Sequence, residues 1–378
     1  MKTEKLVEIR KILHQHPEIS GNESQTSAYI SKLITEINPD FKLEKLKDNS
    51  LIASLGNLNG KHISFRCELD ALPICEVNDF DHKSLIDGVS HKCGHDGHMT
   101  ILLSLIDRLK ELDLSKHLVS LIFQAAEENG NGAKYVIENA KLFKLSKPDY
   151  IFALHNIPGY PENEIIIKEG VFTPEVRSVK FRFKGKTAHA SEPQKGMNPA
   201  YALSQLIEKS KEKVEIYVLS EDFNLITPIY AKLGDEAYGI AAGYAELGFT
   251  MRSWNKELAV TTANWIEKTA EKIGHEHRIQ VSYEWFEEFG SINNNKFCCD
   301  KIRTAAQKLK LSVHEKTEPM EFGEDFGLFT TEFNCAMFGI GAGLHSSALH
   351  YPDYDFNDAL IEPASNMFLE ILNQLLHD

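Results

Sequence analysis

Residues 118–130 have the sequence LVSLIFQAAEENG, and this stretch decides the class of fold. A mainly apolar run of strand length, interrupted only by Ser120, is followed at once by polar residues and then, near 132–143, by a helical pattern of apolar residues. The same alternation extends outward along the chain, with strands predicted at 63–69, 150–154 and 335–340 and helices at 4–15, 24–36, 99–112 and 361–376. Buried strands that alternate with helices are typical of a parallel sheet covered on both faces, so we predict an α/β fold.

The middle of the chain has a different rhythm. Apolar and polar residues alternate over 179–183, which predicts a strand with one exposed face. Further elements follow in the order helix, strand, strand, helix and strand, at 198–213, 226–233, 244–252, 256–274 and 278–286. This β-α-β-β-α-β order is that of a ferredoxin-like α+β domain. We therefore predict such a domain at 176–287, inserted into a larger α/β domain formed by 1–175 and 288–378.

The composition excludes several classes of protein. The 378 residues include 41 Lys and Arg against 55 Asp and Glu, a formal net charge of −14, and such an acidic chain repels the phosphates of nucleic acids. No apolar run approaches the length of about 20 residues that crosses a membrane, and the start MKTEKLVEIRKIL lacks the apolar centre of a signal peptide. Six cysteines are too few for a disulfide framework in a chain of this length. We therefore expect a cytoplasmic protein whose partners are neither nucleic acid nor membrane.

The densest polar cluster is HKCGHDGH at 91–98, between a predicted strand and a predicted helix. Cys93 and His95 are two residues apart and cannot share one face of a helix, but on a turn both can face one ion. The helix that follows would favour the thiolate form of the cysteine. A thiolate and an imidazole together suit zinc, manganese, cobalt or nickel. The alternative is a buried structural cysteine beside a capping aspartate and surface histidines.

Two adjacent carboxylates, Glu127 and Glu128, follow directly after the strand at 118–123. At the end of a buried strand they repel each other unless a cation holds them. A metal ion would provide that cation, with one glutamate as ligand and the other left to move a proton. The alternative is that the pair forms the acidic first turn of the next helix.

Further polar residues follow other strands of the same predicted sheet. His155 ends the strand at 150–154, and Asp70 follows the strand at 63–69. A single histidine in such a place is more often a hydrogen-bonding residue than a metal ligand. Sites in α/β sheets, however, form outside the carboxyl ends of the strands, so these residues are predicted to converge with the two clusters above. Near the C-terminus, His350 and His345 compete as a further ligand.

The chain resembles the M20 family of metal-dependent amidohydrolases, and most closely its branch of aminoacylases, hippurate hydrolases and auxin-conjugate hydrolases. The motifs that carry the resemblance run in order along nearly the whole chain: LHQHPE at 13–18, RCELDALP at 66–73, KCGHDGH at 92–98, the glutamate pair, ALH at 153–155, GKTAHA at 185–190, GEDF at 323–326 and YDFND at 354–358. The resemblance implies a zinc-peptidase-like catalytic domain with an inserted ferredoxin-like lid domain. It also implies a possible homodimer through the lid.

For the site, the resemblance implies two divalent metal ions bridged by Cys93. The remaining ligands would be His95, Glu128, His155 and His350. His350 is preferred to His345 because its spacing to the YDFND motif matches the family. Glu127 would be the general base, and Asp70 would lie behind the ligands and orient one of them.

The resemblance also gives roles to two residues of the lid. His189 resembles the histidine that reaches the scissile carbonyl, in some members from the partner subunit, and Arg252 matches the arginine that binds the substrate carboxylate. The alternative for Arg252 is an ordinary residue of a surface strand. Two departures from the family concern the substrate: YGIAAG at 238–243 replaces an Asn-Val-Ile-Pro segment, and Glu68 stands where relatives have aspartate.

These features together predict the function. We expect metal-dependent hydrolysis of the amide bond of small N-acyl amino acids, which releases a carboxylic acid and a free amino acid. Within hydrolases, the alternative is a dipeptidase, or a deacetylase of a biosynthetic N-acetylated intermediate. A non-catalytic metal-binding scaffold is the alternative from another class, and the intact base beside an intact ligand set argues against it.

Overall fold

The computed structural model describes residues 1–215 and 223–377 and divides into two compact units. The large unit consists of Met1–Phe172, Ile292–Pro319 and Glu324–Asp378. The small unit consists of Thr173–Ser291 and the short segment Met320–Gly323. The chain therefore leaves and re-enters the large unit twice.

A single mixed sheet forms the centre of the large unit. Its strands are β1 Lys42–Lys45, β2 Leu51–Gly56, β3 His62–Glu68, β4 Leu118–Gln124, β5 Tyr150–Ile157, β6 Ile165–Ile167, β15 Val313–Glu315 and β16 Asn334–Gly341. They lie in the order β1-β2-β4-β3-β5-β16-β6-β15. The four central strands, β4, β3, β5 and β16, are parallel, as the alternating pattern predicts. A further pair, β7 Gly170–Val171 and β14 Asn293–Asn294, lies beside the sheet as a separate two-stranded ladder.

The outer strands of this sheet do not all run parallel to the central four. The expectation of a parallel sheet is therefore right only at its centre. Strand β2 is antiparallel to both β1 and β4, and β6 is antiparallel to β16. The turn between β1 and β2 is closed by the amide of Leu46, which donates to the carbonyl of Ser50 at 2.9 Å. So short a connection permits only antiparallel pairing, because a parallel crossover needs a dozen residues or more.

Helices cover the sheet. Those of the large unit are α1 Thr3–Gln15, α2 Ser24–Ile37, α3 His95–Arg108, α4 Gly132–Asn139, α5 Lys141–Leu145, α8 Lys296–Lys308, α9 Gly327–Glu332 and α10 Ile361–His377. The apolar core joins strands to α10 through Phe368, whose ring centroid lies 4.9 Å from that of Phe65 and 5.8 Å from that of Phe338. Helix α3 begins at His95, four residues before the predicted Met99, because Gly94 turns the chain with a φ of 94°. The predicted metal ligand His95 therefore lies in the first turn of a buried helix.

The small unit has the predicted β-α-β-β-α-β order. Its elements are β8 Glu175–Lys184, α6 Ala200–Glu215, β10 Asn224–Leu233, β12 Tyr244–Ser253, α7 Lys256–His277 and β13 Gln280–Phe289, with the short strands β9 Ala188–His189 and β11 Ile240–Ala241. The four long strands form an antiparallel sheet in the order β10-β12-β8-β13. The alternating residues Val179, Phe181 and Phe183 are buried in the core of this unit. The predicted fold class, an α/β domain with an inserted ferredoxin-like domain, is confirmed.

Two further expectations bear on the class of protein. Within the described residues, no helix is both long enough and apolar enough to span a bilayer. All six cysteines are free thiols, and Cys75 is the exposed one.

The contact between α3 and the C-terminal loop gives a prediction about stability. A Cβ atom added at Gly97 would lie 2.4 Å from the ring of Phe356, which is itself buried. We expect Gly97→Ala to lower the free energy of unfolding by about 1–3 kcal/mol, although the same change inside a helix usually raises it by about 1 kcal/mol. Urea unfolding of the purified variant measures the change.

Gly239→Ala is the matched control, because its added Cβ would meet nothing within 4 Å. A Gly97→Ala protein as stable as the wild type would show that α3 and Phe356 are not packed as described.

Candidate metal centre

The parallel strands bring the predicted site residues of the large unit together at one edge of the sheet. Asp70 follows the end of β3, the glutamate pair follows β4, and His155 lies near the end of β5. The turn that carries Cys93 and leads into α3 reaches the same place. Side chains from positions as far apart in the sequence as 70 and 350 therefore meet in one cluster.

Two groups of possible ligands share Cys93. The ligand atoms of Cys93, His95 and His155 lie within 4.8 Å of one another, and the same holds for Cys93, Glu128 and His350. The Sγ of Cys93 is 3.4 Å from the Nε2 of His155. The Oε1 of Glu128 is 4.0 Å from the Nε2 of His95 and 3.7 Å from that of His350. Among the described residues, His345 joins no such group.

The donor atoms of this cluster fit divalent cations. The Nε2 of His95 and the Oε1 of Glu128 are buried and have no hydrogen-bond partner in the described chain, which is unfavourable unless a cation meets them. Burial, followed by the nearby carboxylates of Glu128 and Glu127, raises the pKa of the Cys93 thiol well above its usual value. Burial among carboxylates thus opposes the thiolate form that the helix terminus is expected to favour. A bound cation would favour the thiolate.

Hydrogen bonds fix the orientation of both buried histidines. The Nδ1 of His95 donates to the carbonyl of Asp70 at 2.8 Å and lies 3.2 Å from its carboxylate. The Nδ1 of His155 donates to the carbonyl of Asn156 at 2.9 Å. Because a carbonyl only accepts, Nδ1 carries the proton in each ring and Nε2 is presented to the cluster. Asp70 also accepts a hydrogen bond from the amide of Glu128 at 2.9 Å, so it holds two of the candidate ligands.

The electrostatics of the two rings differ. Burial lowers the pKa of His95, but the hydrogen bond with Asp70 and the surrounding carboxylates outweigh burial and raise it to about 10. Burial, followed by the neighbouring His98, lowers the pKa of His155 to about 3. The surplus of carboxylates near His95 is what a dication would neutralise.

Residues with left-handed backbone flank the cluster. Ala126, directly before the glutamate pair, has a φ of 56°, and His350 has a φ of 66°. Such conformations are unfavourable for residues with a Cβ atom and persist only where the surrounding structure imposes them. Both residues lie at the point where the chain must direct a candidate ligand into the cluster.

Glu127 lies beside the ligands but faces other carboxylates. It is buried, and its Oε1 accepts a hydrogen bond of 3.4 Å from the amide of Asp325. The carboxylates of Glu127, Glu324 and Asp325 lie within 4.8 Å of one another. Burial, followed by Glu324, raises the pKa of Glu127 well above its usual range. A carboxylate destabilised in this way has a strong tendency to accept a proton.

Sequence reasoning missed the residue that holds these carboxylates, which is Arg66. Its buried guanidinium contacts Glu68, lies 3.0 Å from Glu324 and donates to Asp325 at 2.7 Å. Its Nε donates to Gln124 at 3.0 Å. An arginine and a glutamate inside the fully buried strand β3 are unusual, and that pattern could have revealed the network.

Glu68, one of the two departures from the family, connects the Arg66 network to a series of hydrogen bonds through His98. Its other oxygen lies 2.6 Å from the Nδ1 of His98, whose Nε2 lies 2.5 Å from the side-chain oxygen of Asn156. Asn156 in turn donates to the hydroxyl of Tyr354 at 2.5 Å. Both nitrogens of His98 are thus engaged, so the group of Glu68, His95 and His98 is a poor candidate for holding an ion.

A second buried network lies next to the cluster and involves the LHQHPE motif. His14 donates from Nδ1 to Asp96 at 2.9 Å and from Nε2 to Glu76 at 3.1 Å. Arg10 also contacts Asp96, at 3.2 Å. Glu76 pairs further with Lys92. Asp96 lies between the two histidines of the HDGH sequence, so this network holds the first turn of α3 in place.

His189 and Arg252 belong to the small unit. His189 is exposed in β9, which pairs with β11, and its Nδ1 lies 2.7 Å from the hydroxyl of Ser191. Arg252 lies in β12 and donates from Nη1 to the carbonyl of Glu321 at 2.9 Å. Burial lowers the pKa of Arg252. This contact and that of Trp254 with the carbonyl of Met320 tie the segment Met320–Gly323 to the small unit.

A mixed α/β domain with an inserted ferredoxin-like domain and a cluster of potential metal ligands defines the zinc-peptidase-like class of hydrolases. Within that class, residues 64–374 match Peptidase family M20/M25/M40, and the chain belongs to this family. It is therefore a hydrolase of the M20 family, in agreement with the resemblance seen in its motifs.

Three similar proteins illustrate the relationship. An uncharacterized hydrolase of Staphylococcus haemolyticus is 29% identical over 357 residues, which cover 91% of this chain and 92% of the relative. The YxeP protein of Bacillus subtilis, described as a dinuclear metal-binding peptidase from the M20 family, is 25% identical with a TM-score of 0.82 and covers 99% of this chain and 98% of its own. An aminobenzoyl-glutamate utilization protein of Klebsiella pneumoniae, at 16% identity and a TM-score of 0.73, covers 97% of this chain and 95% of its own and shares the fold alone.

The second buried network predicts how stability depends on pH. Burial lowers the pKa of His14, but its hydrogen bonds with Asp96 and Glu76 outweigh burial and raise it to about 9. A raised pKa stabilises the folded state fully below the ordinary value near 6.5, and this contribution is lost as the pH rises through 9. We expect it to be on the order of 3 kcal/mol and to be absent from His14→Gln. Denaturant unfolding between pH 6 and pH 9.5 measures it.

The neighbouring His16→Gln variant is the control, because that side chain is exposed. Equal loss of stability with pH in His14→Gln and in the wild type would contradict the assignment.

Proposed function

We propose that this protein hydrolyses the amide bond of N-acyl amino acids at a centre of two divalent metal ions. The observation that carries the proposal is that one cysteine, Cys93, belongs to two separate ligand groups, with Glu127 beside them. A shared thiolate is what a bridging ligand requires. The description of the YxeP protein as a dinuclear metal-binding peptidase supports the same reading.

The proposed ligands are Cys93, His95, Glu128, His155 and His350. Two bound ions would activate a water molecule and polarise the carbonyl of the amide. The mixed sulfur, nitrogen and oxygen donors are compatible with zinc, manganese, cobalt or nickel. Asp70 orients His95 through its hydrogen bond, which fixes the nitrogen offered to the ion.

Glu127 is the proposed general base. It accepts a proton from the attacking water as the new C–O bond forms, and it delivers that proton to the nitrogen as the C–N bond breaks. Burial, together with the carboxylates of Glu324 and Asp325, raises its pKa and favours the uptake of the proton. Arg66 holds these two carboxylates in position.

The residues of the small unit retain the roles that the family resemblance implies. His189 would donate a hydrogen bond to the carbonyl oxygen as negative charge develops there. The contact of its Nδ1 with Ser191 leaves Nε2 for that purpose. Arg252 would bind the carboxylate of the amino acid, and its bond to the carbonyl of Glu321 fixes one end of the guanidinium. A free carboxylate next to the amide is therefore part of the proposed substrate.

The finer specificity has a second candidate. It is a dipeptidase, which would need the same carboxylate and the same base, and membership of a peptidase family is compatible with it. Rates on acetyl, benzoyl and dipeptide substrates of one amino acid, measured with added manganese, cobalt or zinc, separate the two.

We also propose a homodimer formed through the small unit. Strand β10 lies at the edge of its sheet, and Ile229 and Leu233 on it are 60% and 46% exposed. An exposed apolar edge strand is a surface on which a second copy can extend the sheet.

The role of Glu127 gives a test of the mechanism. We expect Glu127→Gln to bind both ions with the affinity of the wild type and to lose turnover by a factor of about 100 or more, because the amide cannot accept the proton. Metal content and initial rates of amine release measure the two properties.

Glu138→Gln serves as the control, since it replaces an exposed glutamate of α4 outside the cluster. Turnover of Glu127→Gln within a few-fold of the wild type would remove Glu127 from its role. A wild type that holds both ions and releases no amine from a broad panel of N-acyl amino acids and dipeptides would favour the non-catalytic alternative.

A further inference from the structure

A buried lysine lies directly before the proposed bridging cysteine. The side chain of Lys92 is fully buried in the large unit. Its Nζ donates to the carbonyl of Tyr354 at 2.7 Å and contacts the carboxylate of Glu76. Its own carbonyl accepts a hydrogen bond from the amide of His350 at 2.8 Å. Lys92 therefore holds the C-terminal loop at two points, one of which is a proposed metal ligand.

The two points are the ends of one compact turn. The amide of Tyr354 donates to the carbonyl of Tyr351 at 3.0 Å, which closes the turn on itself. At its start, His350 has the left-handed φ of 66° noted above, and its side chain is 51% exposed. With about half of this ring exposed, the backbone anchors at the two ends of the turn contribute to its position.

Burial of an ammonium group is energetically unfavourable, so the presence of Lys92 in the interior must be compensated by its contacts. Glu76 compensates the charge, and it is itself held by His14 at 3.1 Å and by the amide of Ser84 at 2.7 Å. An apolar side chain at position 92 would fill the same space without a buried ion pair. A fixed positive charge also opposes the binding of cations nearby. What the lysine side chain adds is the hydrogen bond to the carbonyl of Tyr354, at one end of the turn whose other end is held by the backbone carbonyl of residue 92.

We propose that Lys92 is a positioning residue, which sets His350 at ligand distance from Cys93 and Glu128. The inference deepens the proposed function and rests on its two-metal centre. The ion that depends on His350 should then be weakened when the lysine is lost, while the ion held by His95 and His155 should be retained. Lys92 acts through the backbone of the loop and does not touch the ions or the substrate.

The direction of the effect separates positioning from simple electrostatics. Lys92→Met keeps the apolar stem and removes one positive charge, so charge alone predicts that both ions bind more tightly. A positioning role predicts weaker binding of the ion that depends on His350. By analogy with other residues that orient metal ligands, the affinity for this ion should fall by a factor of about 10 to 100. Titration of the metal-free full-length protein with Co²⁺, followed by absorbance and by calorimetry, measures both sites without any substrate.

Two controls address folding. Lys61→Met removes another lysine whose Nζ donates to a backbone carbonyl, that of Leu375 at 2.9 Å, and should leave both affinities unchanged. Glu76→Gln loosens the same lysine without removing it, so it should weaken the ion that depends on His350 by a smaller factor; an effect passed through His14 to the first turn of α3 would instead fall on the ion held by His95. If Lys92→Met does not fold, Glu76→Gln carries the test alone, and unchanged affinities in it would overturn the proposal.

A double-mutant cycle tests the route through His350. If Lys92 acts by placing this ligand, then Lys92→Met should change the affinities by less than a factor of about two in a His350→Ala background. If the two substitutions instead weaken ion binding independently, so that their fold-changes multiply in the double variant, the proposal is overturned. A Lys92→Met protein that binds two ions with the affinity of the wild type would also overturn it. A wild type that binds fewer than two ions would also overturn it. A wild type that binds two ions and hydrolyses no amide would refute the proposed function and leave this inference standing.

Discussion

An excess of buried negative charge is the constraint on which the site depends. Carboxylates from several separate parts of the chain converge at the ends of the central strands: Glu68, Asp70, Glu127, Glu128, Glu324 and Asp325. Arg66 neutralises one side of this group with a single guanidinium. Charges in a buried site are stabilised when they are paired, so bound cations would compensate the other side of this group. The proposed metal ions would then contribute to the stability of the site as well as to its chemistry.

The fold meets this constraint by attaching the turns that carry ligands to helices and strands. The carboxyl ends of parallel strands place the acidic residues, and the first turn of α3 places His95. His155 lies in β5, whereas Cys93 and His350 lie on turns that contain the left-handed residues Gly94 and His350. The networks around Arg66 and His14 approach the cluster from two sides and fix these turns. Precise placement of ligands thus arises from many contacts outside the cluster.

The sequence predicted the parts of this arrangement that are local or periodic. Apolar runs located the central strands, alternation at 179–183 located the small unit, and the motifs named the members of the ligand groups. The contacts of Arg66 with Asp325 and of Lys92 with Tyr354 join residues more than 250 positions apart in the chain, and no local pattern identifies such partners. The antiparallel edges of the sheet were missed because short strands such as β1 carry no clear pattern. Pattern analysis identifies elements, whereas side-chain networks depend on the tertiary structure.

The segment at 238–243 shows how a departure from the family can be understood once the structure is known. In place of a side-chain amide, it offers its backbone: Ile240 pairs with His189, and the carbonyl of Gly239 accepts from the amide of Ala190 at 2.9 Å. Tyr238 at its tip is 92% exposed and contributes nothing to packing. Backbone pairing needs no particular side chain, so this support of the His189 turn does not depend on the side chains at 238–243. Any selectivity of the proposed site would then have to come from contacts other than a side-chain amide in this segment.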